Sequence, residues 1–135
     1  SKEILYLNPY NDVLKTIFLT TLTPKKLEQM DITRIFLLLT PTYIRLHPEA
    51  VAAFLRTFYI IQVGFPNSWL KTLSYESIIK ISHTLISNEN DKPILFLLLN
   101  SYMQEMEPNT KVRERMEQLL SKIKSVETDN ISASI

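Results

Sequence analysis

Few side chains in this chain are equipped for chemistry, and none has a matching partner nearby in the sequence. The two histidines, His47 and His83, stand alone, and the chain contains no cysteine. Structural zinc is held by sets of cysteine and histidine ligands, so neither a metal nor another cofactor is expected. A single glycine, Gly64, cannot build a phosphate-cradling loop or a nucleophile elbow, both of which need glycine at several close-approach positions. Glu105 with Glu107, and Glu114 with Glu117, are the paired carboxylates. On helices such pairs are ordinary solvent-facing charges. His47 precedes Pro48 and reads as a turn or cap residue, and His83 as a solvated or half-buried side chain. By this inventory the protein is not an enzyme, and no small-molecule substrate is expected.

The chemistry that remains is binding. Near the C-terminal end, Val112, Met116, Leu119, Ile123 and Val126 follow a 4-3-4-3 spacing, widened by Leu120. That is a seam-like helical face, suited to docking on the preceding helices or to meeting a partner. Trp69, in Phe65-Pro66-Asn67-Ser68-Trp69-Leu70, sits at a junction where an aromatic ring either plugs a gap or anchors a partner. Tyr6, Tyr10 and Tyr43 fall at element ends, where a ring can bury while its hydroxyl stays wet. Trp69, Tyr43, Met116, Leu119 and Ile123 are therefore the first residues expected to contact a protein partner. Basic residues offer an alternative. Lys111, Arg115 and Lys122 recur along the last helix, with Arg113 and Lys124 to the side. Lys25, Lys26, Arg34, Arg45, Arg56 and Lys71 are scattered earlier. Arg34, Arg56 and Lys71, with Lys111, Arg115 and Lys122, are the residues expected to meet phosphates if the ligand is RNA.

Helices are the elements that must carry these residues. Three apolar runs, Ile35-Phe36-Leu37-Leu38-Leu39, Phe58-Tyr59-Ile60-Ile61 and Ile94-Leu95-Phe96-Leu97-Leu98-Leu99, suit a shared inner layer. They would equally suit strands of an α/β sheet, since short buried runs are ambiguous by periodicity alone. Two of them are rich in leucine where β-branched residues would be expected, and one glycine is few for sheet turns. The first helix is placed from about Tyr10 to Thr21, capped by Asn11 or Asn8, with Val13, Leu14, Ile17, Phe18 and Leu22 along its apolar face. Thr23-Pro24 starts a helix reaching Thr40, with a restart at Asp31 and an end at Pro41. Thr42 to Leu46 reads as a connector. Pro48-Glu49 opens the next helix, to about Val63, with Gly64 as its cap. A short turn follows from Pro66 through Leu73. Ser74 caps a helix carrying Ile78, Ile79, Ile81, Leu85 and Ile86. Lys92-Pro93 starts another, which Pro108 ends. Asn109 caps the last helix, expected to run to about Val126.

The 135 residues suit one domain with a real core, and the apolar content of 45% is that of a globular chain. We place that domain at residues 1–127 and a flexible tail at 128–135. The apolar runs fall well short of the roughly 20 residues of a membrane helix. A formal charge of +1 does not suit a protein devoted to duplex nucleic acid. The lack of cysteine and of a signal-peptide pattern at Ser1-Lys2-Glu3 suits an intracellular setting, with cytoplasm, nucleus and mitochondrion undistinguished.

A loose internal repeat emerges from these elements. Met30-Asp31-Ile32-Thr33-Arg34-Ile35 leads through His47-Pro48 to Phe65-Pro66, and Leu73-Ser74-Tyr75-Glu76-Ser77-Ile78 leads through Lys92-Pro93 to Glu107-Pro108. Paired helices of a bundle would give the same pattern without repeat ancestry. The rhythm between Leu22 and Pro108, carried by Leu22-Thr23-Pro24-Lys25-Lys26-Leu27 and Leu73-Ser74-Tyr75-Glu76-Ser77-Ile78, resembles the helical-hairpin repeats of FAST-kinase-like and octotricopeptide proteins. That resemblance implies RNA binding or scaffolding within an organellar ribonucleoprotein. The expected fold is all-α, six or seven helices in consecutive antiparallel hairpins, as a short α-solenoid or a bundle. The expected function is a non-catalytic interaction or scaffold domain in a larger assembly, with a protein partner, and an RNA-binding helical-repeat segment as the alternative.

Overall fold

The computed structural model describes the backbone of residues 11–62, 64–106 and 109–134, and the side chains of these through Ile123. Among the described residues the chain is all-helical, with no strand. Nine α-helices follow one another: α1 (Asp12–Thr21), α2 (Pro24–Glu28), α3 (Ile32–Phe36), α4 (Pro41–Leu46), α5 (Pro48–Ile61), α6 (Asn67–Leu70), α7 (Tyr75–Ile86), α8 (Lys92–Glu105) and α9 (Thr110–Ser134). A 3-10 turn, Glu89–Asp91, precedes α8.

The helix starts are set by local chemistry. A side-chain oxygen two or three residues ahead takes up a backbone N–H that has no partner within the helix. Asn11 accepts from Leu14 N, Thr23 from Lys26 N, Asp31 from Arg34 N, Ser74 from Ser77 N and Asn109 from Val112 N, all at 3.2–3.3 Å. Pro24, Pro41, Pro48 and Pro93 occupy the first or second helical position, where the missing N–H costs nothing.

Among the described residues nine helices stand where six or seven were expected, because the segment from Thr23 to Leu46 is three helices, not one helix and a connector. Asp31 caps a fresh start after Gln29. Pro41 does not end a helix but begins α4, with Thr40 accepting from Tyr43 N at 3.1 Å. The same Thr-Pro signal operates at Thr23-Pro24. At the far end the backbone helix continues to Ser134, beyond the Val126 expected from the pattern. The C-cap of α5 is Gln62, and Gly64 lies beyond it at φ +133, a conformation that L side chains rarely adopt. Val63, Glu107 and Pro108 lie outside the described residues, as do Tyr6 and Tyr10.

One contiguous core runs from Leu19 to Ile123. Its axis is α5, which buries Ala50, Val51, Ala52, Phe54, Leu55 and Phe58 and packs against α1, α2, α4, α7 and α8. An aromatic cluster fills the middle. Phe36 lies 4.8–5.2 Å, ring centre to ring centre, from Phe54, Phe58 and Trp69. Phe65 bridges Phe58 and Trp69 at 5.8 Å to each. Such tilted and edge-to-face pairs contribute about 0.5–1.5 kcal/mol each beyond the area they bury. Tyr102 of α8 donates to the Leu73 carbonyl at 3.1 Å, fixing α8 to the chain ahead of α7. Finally α9 packs on α8, with Met116, Leu120 and Ile123 buried.

The three apolar runs are not buried uniformly. Leu37 and Ile60 point outward, and Phe96 and Leu97 are half-buried. A helix turns its side chains through 100° per residue, so a run of four or five consecutive apolar residues cannot all face one core.

Candidate interaction surfaces

Helix α1 is rotated away from the seating its apolar pattern predicts. Asp12, Lys15, Thr16 and Leu19 recur at helical spacing and face inward, and only Lys15 and Leu19 of the helix are fully buried. Val13, Leu14 and Ile17, expected on the core side, are 71%, 48% and 52% exposed. Phe18 is half-buried and Leu22 buried, so the expected face divides between core and solvent.

Polar groups at the end of α4 explain the orientation. The Tyr43 hydroxyl and Thr16 Oγ1 share a hydrogen bond of 2.6 Å. His47 Nε2 lies 3.1 Å from Asp12 Oδ2. Lys15 Nζ donates to the Leu38 carbonyl at 3.2 Å and rests 4.6 Å from the centre of the Tyr43 ring. The Tyr43 and His47 rings are themselves 4.8 Å apart. An unpaired buried carbonyl or hydroxyl costs about 1–3 kcal/mol, so presenting Lys15 and Thr16 here is favoured over presenting Val13 and Ile17. Burial pushes the Lys15 ammonium below its usual pKa, and the Asp12 carboxylate partly offsets this. Burial also raises Tyr43; the Thr16 hydrogen bond opposes the rise and Asp12 adds to it. Lysine, tyrosine, histidine and aspartate together carry the groups of an acid–base site, but here Lys15 and Tyr43 are closed to solvent and bonded to the protein. The cluster is a clasp holding α1 on α4. No single stretch of sequence signals it, since its partners lie up to 35 residues apart.

The outward face of α1 carries no charged side chain. Beside Val13, Leu14 and Ile17 stand Thr20 and Thr21, whose hydroxyls donate back to the Thr16 and Ile17 carbonyls at 2.7 and 2.6 Å. Covering this face leaves neither a charge nor a hydroxyl proton without a partner.

The residues expected to bind a protein lie elsewhere. Trp69 is 1% exposed, its indole N–H donates to the Leu39 carbonyl at 3.0 Å, and its ring closes the aromatic cluster. It plugs a junction. Its edge does line a small notch of about 90 Å³ with Leu37, Pro41 and Thr72. Tyr43 belongs to the clasp. Met116 and Ile123 are buried against the preceding helices and Leu119 is half-buried, so the seam of α9 holds this domain together. Fully burying a side chain of this kind stabilises by about 1.5–3 kcal/mol.

The basic residues divide in the same way. Arg56 is engaged. Its Nε lies 2.9 and 3.0 Å from the two Asp91 carboxylate oxygens and its Nη2 2.7 Å from Oδ2. Lys71 pairs with Glu105 at 3.7 Å. Arg34 is exposed on α3, and these three lie on or beside three different helices rather than one. Lys111, Arg115 and Lys122 are exposed on α9, with the Arg115 guanidinium 5.3 Å from the Tyr75 ring centre. His47 and His83 are on separate elements, and no three potential metal ligands cluster among the described residues. Nor, among those residues, is any helix long and apolar enough to cross a membrane.

No protein-family model, curated protein or solved structure matches this chain. The reading of its function therefore stands on the surfaces themselves.

Proposed function

We propose that this chain is a non-catalytic protein-interaction module, a helical scaffold that receives a partner segment on the outer face of α1. The single observation carrying this reading is the uncharged patch of Val13, Leu14 and Ile17, exposed on a helix whose charged side chains, Asp12 and Lys15, face inward. The clasp accounts for the inward polar residues of α1, but it makes no demand on positions 13, 14 and 17, which are apolar all the same. A second surface that covers Val13, Leu14 and Ile17 accounts for them. The partner is a protein segment with apolar side chains at helical spacing, the recognition mode in which an amphipathic helix contributes anchors at i, i+3 and i+4. Within this reading the helices stack as antiparallel hairpins: α7 returns through the 3-10 turn into α8, and α9 closes the stack.

A photo-crosslinking side chain introduced at Ile17 tests the proposal in an extract of the native source. One dominant protein adduct is expected, lost when Val13→Asp is added, while the melting temperature stays within about 2 °C of the parent because both positions are exposed. Adducts spread evenly over many proteins, or adducts indifferent to Val13→Asp, would sink the reading.

A further inference from the structure

The clasp that orients α1 also decides how firmly the helix is held. We propose that it is a latch, and that α1 leaves its seat as a unit while the helices from α2 onward stay folded. The inference holds whether or not a partner covers the outer face of α1.

Little apolar surface keeps α1 in place. Leu19 is fully buried, Leu22 is buried just beyond the end of the helix, and Phe18 is half-buried. Helix α5, by contrast, buries a stripe from Ala50 to Phe58 and packs against helices from both halves of the chain. What else holds α1 is polar: the Thr16–Tyr43 hydrogen bond, the Asp12–His47 contact and the Lys15 donation to the Leu38 carbonyl. Water replaces such bonds when they open, so each contributes far less than its strength in isolation. Lys15 gains on release, because burial disfavours its charged form in the seat. An inward face of this kind makes release cheap and reversible, since its polar groups meet water instead.

The junction allows the movement. Leu22 and Thr23 are both extended, at φ −64, ψ 135 and φ −100, ψ 157, and Thr23 caps α2 through its own Oγ1. The start of α2 therefore does not depend on α1. A ten-residue helix is marginal in water by itself, so α1 unwinds once out of its seat. Release frees both faces of α1 and uncovers Tyr43 and the Leu38 carbonyl on the body of the domain.

Native-state hydrogen exchange of the whole chain, at rising but sub-denaturing urea, tests this. The amides of Leu19, Thr20 and Thr21 are expected to exchange through one shared opening. It should be at least about 30-fold more frequent than the global opening reported by Phe54 and Leu55, with a weaker urea dependence because less surface is exposed. Two variants separate the latch from general stability. Ile81 is buried on α7, which packs on α4, α5 and α8, and it stays packed when α1 is out. Ile81→Val should speed exchange in α5 by about fivefold and leave α1 unchanged. Tyr43→Phe keeps the ring but removes the bond to Thr16, and should make the α1 opening about fivefold more frequent. Amides of α1 that exchange only with those of α5, sharing their urea dependence and their response to Ile81→Val, would overturn the proposal. So would an α1 opening that Tyr43→Phe leaves untouched, because the clasp would then not be the latch.

Discussion

Arg56→Ala separates a structural arginine from an RNA-contacting one. The Asp91 side chain is 3% exposed and takes three short contacts from the Arg56 guanidinium, whose own side chain is 40% exposed. Removing one partner of a buried pair costs about 3–5 kcal/mol, because the charge left behind has neither water nor a counter-ion. Here water can enter through the space the guanidinium vacates, which brings the expected cost down to about 2–3 kcal/mol. At about 3–5 °C per kcal/mol for a chain of this length, the melting temperature should fall by about 10 °C. Asp91→Ala should cost less, about 1 kcal/mol, since the freed guanidinium can turn outward into solvent. The double variant should then be less destabilised than the sum of the two by at least about 1 kcal/mol. Urea unfolding followed by circular dichroism on the four proteins measures that coupling. Additivity within about 0.5 kcal/mol would refute the argument and return Arg56 to the pool of cations free to meet a ligand.

Trp69→Phe should destabilise by about 2–4 kcal/mol, from the Leu39 carbonyl left without its indole partner and the void beside Phe36, with crosslinking through Ile17 preserved in the fraction that stays folded. Raising the pH should first stabilise the protein and then destabilise it. Between the lowered folded pKa of Lys15 and its usual 10.5 the unfolded chain binds the extra proton, so stability rises; above 10.0, Tyr43 and Tyr102 keep their protons longer when folded, so stability falls. Lys15→Met should remove the rise and, by leaving the Leu38 carbonyl without its donor, cost about 1–3 kcal/mol at pH 7, a result readable from unfolding curves at pH 7 to 11. Single-stranded RNA, if it binds at all, has only the α9 cations on one helix to meet: log K against log salt should slope at about −2, against about −4 for a groove using all six candidate cations, and the steeper value in an anisotropy titration would revive that groove.

What was legible in the sequence is what neighbouring residues decide between themselves. Asn11, Thr23, Asp31, Ser74 and Asn109 cap helices because a short polar side chain reaches a backbone N–H two or three residues on, whatever the rest of the chain does. The leucine-rich runs and the scarcity of glycine were enough to favour helices over a sheet, and the 4-3-4-3 spacing was enough to show a docking face on α9. Thr40-Pro41 carried the same signal as Thr23-Pro24, yet the apolar run ahead of it drew the boundary to the wrong side of the proline.

Orientation and pairing belonged to the tertiary structure. Which side of α1 faces inward depends on the Leu38 carbonyl and the Tyr43 hydroxyl, 23 and 27 residues away from their partners. Satisfying those buried polar atoms outweighs an apolar stripe that contains no clue to their presence. Trp69 became core rather than contact, and Arg56 a lock rather than a ligand, for the same reason. Composition and spacing state what a side chain is able to do, but burial and distance choose among its possible partners, and both come into being only when segments far apart in the chain are brought together.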